Sequence, residues 1–388
     1  MINQITELLE RRVAEIIKRD HLKTALESGR KLKIKFGIDP TSAKLHLGHT
    51  VPLLKLKEFQ NLGHQIILII GDTTATIGDP TGRQISRKTL TRKEVEENMK
   101  AYKGQISKIL DAKKTTFVYN SEWFGKMGIS DFMKMVSTAT FQQVGKRREL
   151  QERIQKGEDI TLTEILYPVM QGYDSVQVKA DVEVGGADQK FNLLMGRQIQ
   201  KRFGQKEQDI LTVPLLIGTD GKEKMSKTAE NYVALEDSPS EMYAKLMATP
   251  DGLTVQYFEL CTDLTIEKVE DLAKQAKKDP MGVKKQLAYE ITKMYHGEKK
   301  ATTAQKEFGR VFSKGGTPKD APVWKIAGRE VDLAKLLLDN KIVTSKSDAR
   351  RLIQQGGVKL DGKKLTKPIA TLGKGTLRIG RKTFIKIQ

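Results

Sequence analysis

Two short runs in this chain have residue types that can do chemistry: His46-Leu47-Gly48-His49, and Lys224-Met225-Ser226-Lys227-Thr228 well downstream. Two neutral imidazoles and the free N–H groups of a helix start can hold a polyphosphate, and a glycine between them would let a flat purine lie on the backbone. Two lysines on a loop can close over phosphates and neutralise charge as pyrophosphate leaves, an interaction stronger in the transition state than in the ground state. Each run alone has a plainer reading. An H-x-G-H is more often a helix cap, and a K-x-x-K among 68 Lys plus Arg is more often a solvated turn. Their occurrence together, in this order, favours ATP chemistry.

The surrounding sequence says which elements must position them. Leu32, Ile34, Phe36 and Ile38 alternate as in a strand, Asp39-Pro40 makes a turn, and an apolar run from Val51, with Pro52 near its start, follows. Both histidines therefore fall in the first turn of a helix. The second run follows an apolar strand over residues 210–218 and the polar stretch Thr219-Asp220-Gly221-Lys222, which predicts a mobile loop. Residues 64–70 read as a strand buried on both faces, 117–119 as a weaker one, and 181–184 and 211–217 as two more, with helical stretches between. The expected fold class is α/β, a doubly wound parallel sheet. Neither G-x-x-x-x-G-K-[ST] nor G-x-G-x-x-G occurs, so ATP is expected at the helix terminus and the two runs.

These runs resemble the HIGH and KMSKS motifs of class I aminoacyl-tRNA synthetases. Phe36-Gly37-Ile38-Asp39-Pro40-Thr41, Ile77-Gly78-Asp79-Pro80-Thr81-Gly82-Arg83, the set Tyr167, Gln171 and Asp174, and Gly185-Gly186-Ala187-Asp188-Gln189 are similar, in order, to the bacterial tyrosyl-tRNA synthetase family. The resemblance implies a Rossmann-like catalytic domain that joins tyrosine to ATP and passes it to the terminal adenosine of tRNA. On it, His46, His49, Lys224 and Lys227 act in catalysis, while Arg83 and Arg87 either close on the pyrophosphate or remain exposed charges. Asp79, Tyr167 and Gln171 would hold the tyrosine ammonium, Asp174 would accept from its phenol, and Gln189 with Asp188 would contact the carboxylate and ribose. Gly37, Asp39, Gly48, Gly186, Asp188, Met225 and Ser226 would line the ATP. The chemistry is sensible, because an ammonium needs a carboxylate and a buried phenol needs a fixed acceptor. Positions 167, 171 and 174 share one helical face, which a structural stripe would also give.

No covalent intermediate, protein general base or protein-built metal site is implied; Mg²⁺ would be held mainly by the ATP phosphates. Two positions depart from the family pattern. Lys35 stands where many of these enzymes have a second phenol-reading tyrosine, and another branch has lysine; it is either a substrate contact or a solvent-facing side chain. Thr228 replaces the last serine of the loop motif.

Composition bounds the rest. A chain of 388 residues has room for two or three domains. A lone cysteine, Cys261, excludes an internal disulfide framework and fits a cytoplasmic protein. Residues 1–29 place Ile5, Leu8, Leu9, Val13, Ile16 and Ile17 at helical spacing, predicting one amphipathic helix, and no apolar run is long enough for a membrane span. The net charge of +20 is concentrated: residues 331–388 hold 14 Lys plus Arg against 4 Asp. That segment shows helical patterns at 331–338 and 347–355, a strand at 358–360 and an Asp361-Gly362 hairpin turn. It resembles the S-four RNA-binding domain, which implies that Lys346, Arg350, Arg351 and Lys359 follow an RNA backbone.

The expected organisation is a catalytic domain at 1–232, an α-helical domain at 233–312, a linker at 313–330 and the small α+β RNA-binding domain at 331–388. A dimer-interface insertion is expected at 121–165 and implies a homodimer. Three other readings stay open. A tryptophanyl synthetase would share the body but not the Tyr167, Gln171 and Asp174 set. An adenylating ligase would lack the basic C-terminal module, and a non-catalytic RNA-binding protein need not keep both histidines and both lysines.

Overall fold

Six of the apolar segments assemble into one sheet: β1 (Glu15–Ile17), β2 (Lys33–Ile38), β3 (Gln65–Ile70), β4 (Thr115–Tyr119), β5 (Val182–Gly186) and β6 (Asp209–Val213), in spatial order β1-β6-β5-β2-β3-β4. The computed structural model describes residues 2–79, 91–313, 321–326, 328, 330–380 and 383–388. All neighbours in the sheet are parallel except β1 and β6. Parallel strands are covered on both faces, which is why β3 is buried from Ile66 to Ile70. The strand predicted over residues 211–217 ends at Val213, because Pro214 has no N–H to give to the ladder.

Chain order reverses between β2 and β5, with β3 on the far side of β2. A cleft therefore opens at the carboxyl ends of these two strands, the place where open α/β sheets bind ligands. Three helices bring side chains to it: α1 (Leu47–Asn61), α2 (Leu162–Val178) and α3 (Lys190–Arg202). At the start of α2, Thr161 accepts from the Glu164 N–H and Glu164 reaches back to the Thr161 N–H, a reciprocal cap worth about 1 kcal/mol. Pro52 lies inside α1, so it cannot donate to the Gly48 carbonyl one turn earlier.

The single helix predicted for residues 1–29 is corrected by the structure to a helix Ile2–Glu10, the strand β1 and a helix Arg19–Glu27. Arg12 and Lys18 have positive φ, 52° and 63°, which breaks any continuous helix. What looked like helical spacing at Ile16 and Ile17 is an edge strand paired with Leu211 and Ile210. Tertiary pairing overrode a pattern too short to discriminate. After β6 come the helices Pro239–Met247, Thr254–Cys261, Ile266–Ala276, Pro280–His296 and Glu298–Phe308, two of them with proline at the helix start. The chain forms two compact units, Met1–Ala301 and Thr302–Gln388.

The second unit packs helices Leu333–Asp339 and Lys346–Gln354 against a five-stranded sheet that includes Val358–Leu360, Gly375–Ile379 and Thr383–Ile387. Leu333, Leu337, Ala349, Ile353, Val358, Leu377 and Ile385 form its core. Asp361 and Gly362, both at positive φ, make the two-residue turn that pairs Leu360 with Lys363. Half of the expected linker, including Gly315, Gly316 and Pro318, lies outside the described residues.

Candidate active site

The turn after β2 delivers the chain to α1 with His46 at the cap, in extended conformation, and His49 in the first turn. The His46 N–H donates to His49 Nδ1 at 3.2 Å, and the two rings lie 3.8 Å apart. Burial, the neighbouring imidazole and Lys227 push the pKa of His46 down to about 2; burial and Lys227 push His49 to about 3. Both are therefore neutral at physiological pH and offer hydrogen bonds, not charge. His46 Nδ1 is buried with no partner among the described residues. A methyl group on Gly48 would lie 3.0 Å from the His46 ring, so any larger residue here would have to displace that ring.

The lysine loop is docked in this structure. Met225 is buried and its N–H donates to the Leu216 carbonyl at 2.7 Å; the Ser226 N–H donates to Asn231 Oδ1 at 2.8 Å. Lys224 Nζ forms an ion pair with Asp188 at 2.8 Å, and Lys227 Nζ donates to Ser42. Each lysine thus sits on a polar group that an incoming anion can replace. Asn231 also donates to Asp220 at 3.0 Å and so ties the two ends of the loop together.

A second cluster lies along α2. The Tyr167 hydroxyl donates to Asp39 Oδ2 at 2.8 Å, and Thr74 donates to Asp39 Oδ1 at the same distance. Gln189 donates to Asp79 at 2.7 Å, while Asn192 donates to Gln171 at 3.0 Å and to Gln189 at 2.9 Å. Asp79, Gln171 and Gln189 are thereby brought into one network. Asp174 is 4% exposed and accepts from Trp123 Nε1 at 3.0 Å. Burial pushes its pKa up to about 7, with Lys35, Trp123 and Asn120 pulling the other way. Asp39, expected beside ATP, has both carboxylate oxygens engaged by Tyr167 and Thr74. The solvent-facing alternative for Lys35 is overturned, because that side chain is wholly buried and pairs with Glu183 at 2.8 Å. Arg83 and Arg87 lie outside the described residues.

Residues 27–313 match the family model for tRNA synthetases class I (W and Y), and residues 314–386 match that of the Tyrosine--tRNA ligase SYY-like C-terminal domain. The chain belongs to the class I tRNA synthetases. Among its relatives is the tyrosine–tRNA ligase of Desulfotalea psychrophila, 44% identical over 98% of this chain and 97% of that protein. The tyrosine–tRNA ligase of Thermotoga maritima is also 44% identical, over 98% of this chain and 96% of that one. The same fold occurs in the tyrosyl-tRNA synthetase of Archaeoglobus fulgidus complexed with L-tyrosine, at TM-score 0.64 and 23% identity, covering 79% of this chain and all of that one. It occurs too in a C-terminally truncated Aspergillus nidulans mitochondrial tyrosyl-tRNA synthetase, at TM-score 0.69 and 23% identity, over 80% of this chain and 94% of that one.

In this synthetase, residues that the sequence did not single out complete the site. Trp123, one of only two tryptophans, and Asn120 hold Asp174 from the turn after β4. Trp123 had a signal in its rarity; Asn120, Asn192 and Asn231 had none, since isolated amides are ordinary in loops and helices. In the second unit Lys346, Arg350 and Arg351 are exposed on one helix, while Lys359 is half-buried on the strand beside it. Arg351 is paired with Asp348 at 2.7 Å, an exposed pair that a phosphate could displace.

Proposed function

We infer that this chain is a tyrosine–tRNA ligase, which activates L-tyrosine with ATP and passes it to the 3′-terminal adenosine of tRNA. Relatives of that name, alike over nearly the whole chain, support the activity. The observation that carries the choice of amino acid is Asp174: a carboxylate buried among hydrogen-bond donors is a fixed acceptor for a phenol. In the first step the tyrosine carboxylate attacks the α-phosphate of ATP in line and pyrophosphate leaves. Neutral His46 and His49 donate hydrogen bonds to phosphate oxygens, and Lys224 and Lys227 exchange Asp188 and Ser42 for the departing pyrophosphate. Asp79, with Gln171 and Gln189 behind it, receives the ammonium. The ribose hydroxyl of the tRNA adenosine then attacks the tyrosyl carbonyl and AMP leaves. Positioning and charge complementarity supply the catalysis, so no protein base is required. Among the described residues no cluster of His, Cys, Asp or Glu could hold a metal ion, so Mg²⁺ is assigned to the ATP phosphates.

The proposed organisation keeps the catalytic domain at 1–232, the helical domain at 233–312, a linker at 313–330 and an RNA-binding domain at 331–388. Homodimerisation is supported by exposed apolar side chains concentrated within residues 121–165: Ile129, Met133, Phe141, Ile154 and Leu162, all at least half exposed. No helix among the described residues is long and apolar enough to cross a membrane, and we assign the protein to the cytoplasm. The test is amino-acid-dependent exchange of pyrophosphate into ATP across the twenty amino acids. Exchange with tyrosine alone is expected; exchange with tryptophan in its place, or none at all, refutes the reading.

A further inference from the structure

Lys35 is on β2 directly opposite Glu183 on β5, and both side chains are buried, at 0% and 1% exposure. A lysine ammonium has three hydrogens to donate. Here two of them have acceptors, the Gln171 carbonyl at 2.9 Å and Ser175 Oγ at 2.7 Å, and the ammonium forms an ion pair with Glu183 Oε1 at 2.8 Å. Ser175 in turn donates to Glu183 Oε2 at 3.1 Å, and Gln208 donates to the same oxygen. The network leaves no room for anything larger than hydrogen on α3, since a methyl group on Gly196 would fall 2.6 Å from Gln208, 3.0 Å from Ser175 and 3.1 Å from Glu183. The Lys35 side chain is wholly buried among these groups.

Two of those acceptors belong to the turn of α2 that contains Asp174, between Gln171 and Ser175. We propose that Lys35 is a positioning residue for amino-acid selectivity: anchored by Glu183, it holds this turn of α2 and keeps Asp174 an anionic acceptor, without touching the substrate. The proposal rests on the tyrosine reading of the site. Lys35 from β2 and Glu183 from β5 are the charged groups acting on Asp174, Trp123 and Asn120 donate to it from the turn after β4, and Tyr167 lies two turns earlier on α2. An ammonium so enclosed is screened little by water, and its influence on a neighbouring carboxylate is correspondingly large.

The test compares kcat/KM for tyrosine and phenylalanine in pyrophosphate exchange. Lys35→Met with Glu183→Gln removes both charges, so neither is left buried and unpaired. Selectivity for tyrosine is expected to fall at least tenfold while KM for ATP stays unchanged. In the Asp174→Asn background the same pair of substitutions should cause no further loss, because Lys35 acts through Asp174. Additive losses would mean that Lys35 meets the substrate itself, and full selectivity in the double variant would overturn the proposal while leaving the tyrosine reading intact. If Asp174→Asn alone keeps full selectivity, the phenol is read elsewhere and the proposal fails with the assignment of Asp174, while tyrosine-dependent exchange tests the tyrosine reading separately. Glu183→Gln alone supplies an independent sign: it removes the carboxylate opposing Asp174 and keeps the ammonium, so the acid limb of kcat/KM for tyrosine should move to lower pH. An unmoved limb, or a move to higher pH, overturns the proposal even if the double variant does not fold.

Discussion

Asp174→Asn should make the protein more stable at neutral and alkaline pH while damaging its selectivity. The cause is burial, which raises the pKa of Asp174 from an ordinary 3.8 to about 7. A carboxylate shifted upward is protonated in the folded protein where it is ionised in the unfolded chain. The folded state therefore loses stability as pH rises from about 4, and the loss is complete once the pH passes the folded pKa. At roughly 1.4 kcal/mol per unit of pKa, the full cost is about 4 kcal/mol. Asparagine avoids it and still accepts from Trp123, but its additional N–H, left without a partner, returns about 1 kcal/mol. The net gain should be about 3 kcal/mol at pH 8 and should largely disappear on going to pH 5. Denaturant unfolding of both proteins, followed by tryptophan fluorescence at several pH values, measures this directly. A variant less stable than the parent at pH 8, or a difference that does not change with pH, would refute the account of Asp174 as a strained buried carboxylate.

Three further outcomes follow from the site and the surface. Lys224→Ala or Lys227→Ala should slow adenylation by more than tenfold with little change in tyrosine KM, read from pre-steady-state rates; an unchanged rate removes the loop from the mechanism. A chain ending at Ser313 retains every proposed adenylation residue and should keep pyrophosphate exchange while charging tRNA poorly, and the advantage of the full chain over it should shrink as salt is raised; equal loss of both activities would mean the C-terminal segment supports the fold instead. Phe141→Asp with Leu162→Asp places charge in the exposed apolar region, so sedimentation should show monomers where the parent shows dimers; an unaltered dimer moves the interface elsewhere.

The histidine turn and the lysine loop were legible in the sequence alone. A histidine pair after a strand and a turn, a lysine pair on a glycine-containing loop, the long apolar strands and the Asp361-Gly362 turn all depend on backbone preferences within a few residues of each other, and such local preferences survive in the fold. The same locality failed over residues 1–29, where a short apolar spacing suits helix and edge strand equally and only the partner β6 decides between them. Lys35 shows the limit most clearly. Its neighbours in sequence describe an ordinary strand residue, whereas its three partners come from positions 171, 175 and 183 on two other elements. Whether a lysine faces water or lies buried in a hydrogen-bonded ion pair is decided by which segments the sheet order brings beside it. The same holds for Trp123 against Asp174 and Tyr167 against Asp39, contacts between residues 51 and 128 positions apart, because a hydrogen bond depends on proximity in space and leaves no periodic trace along the chain.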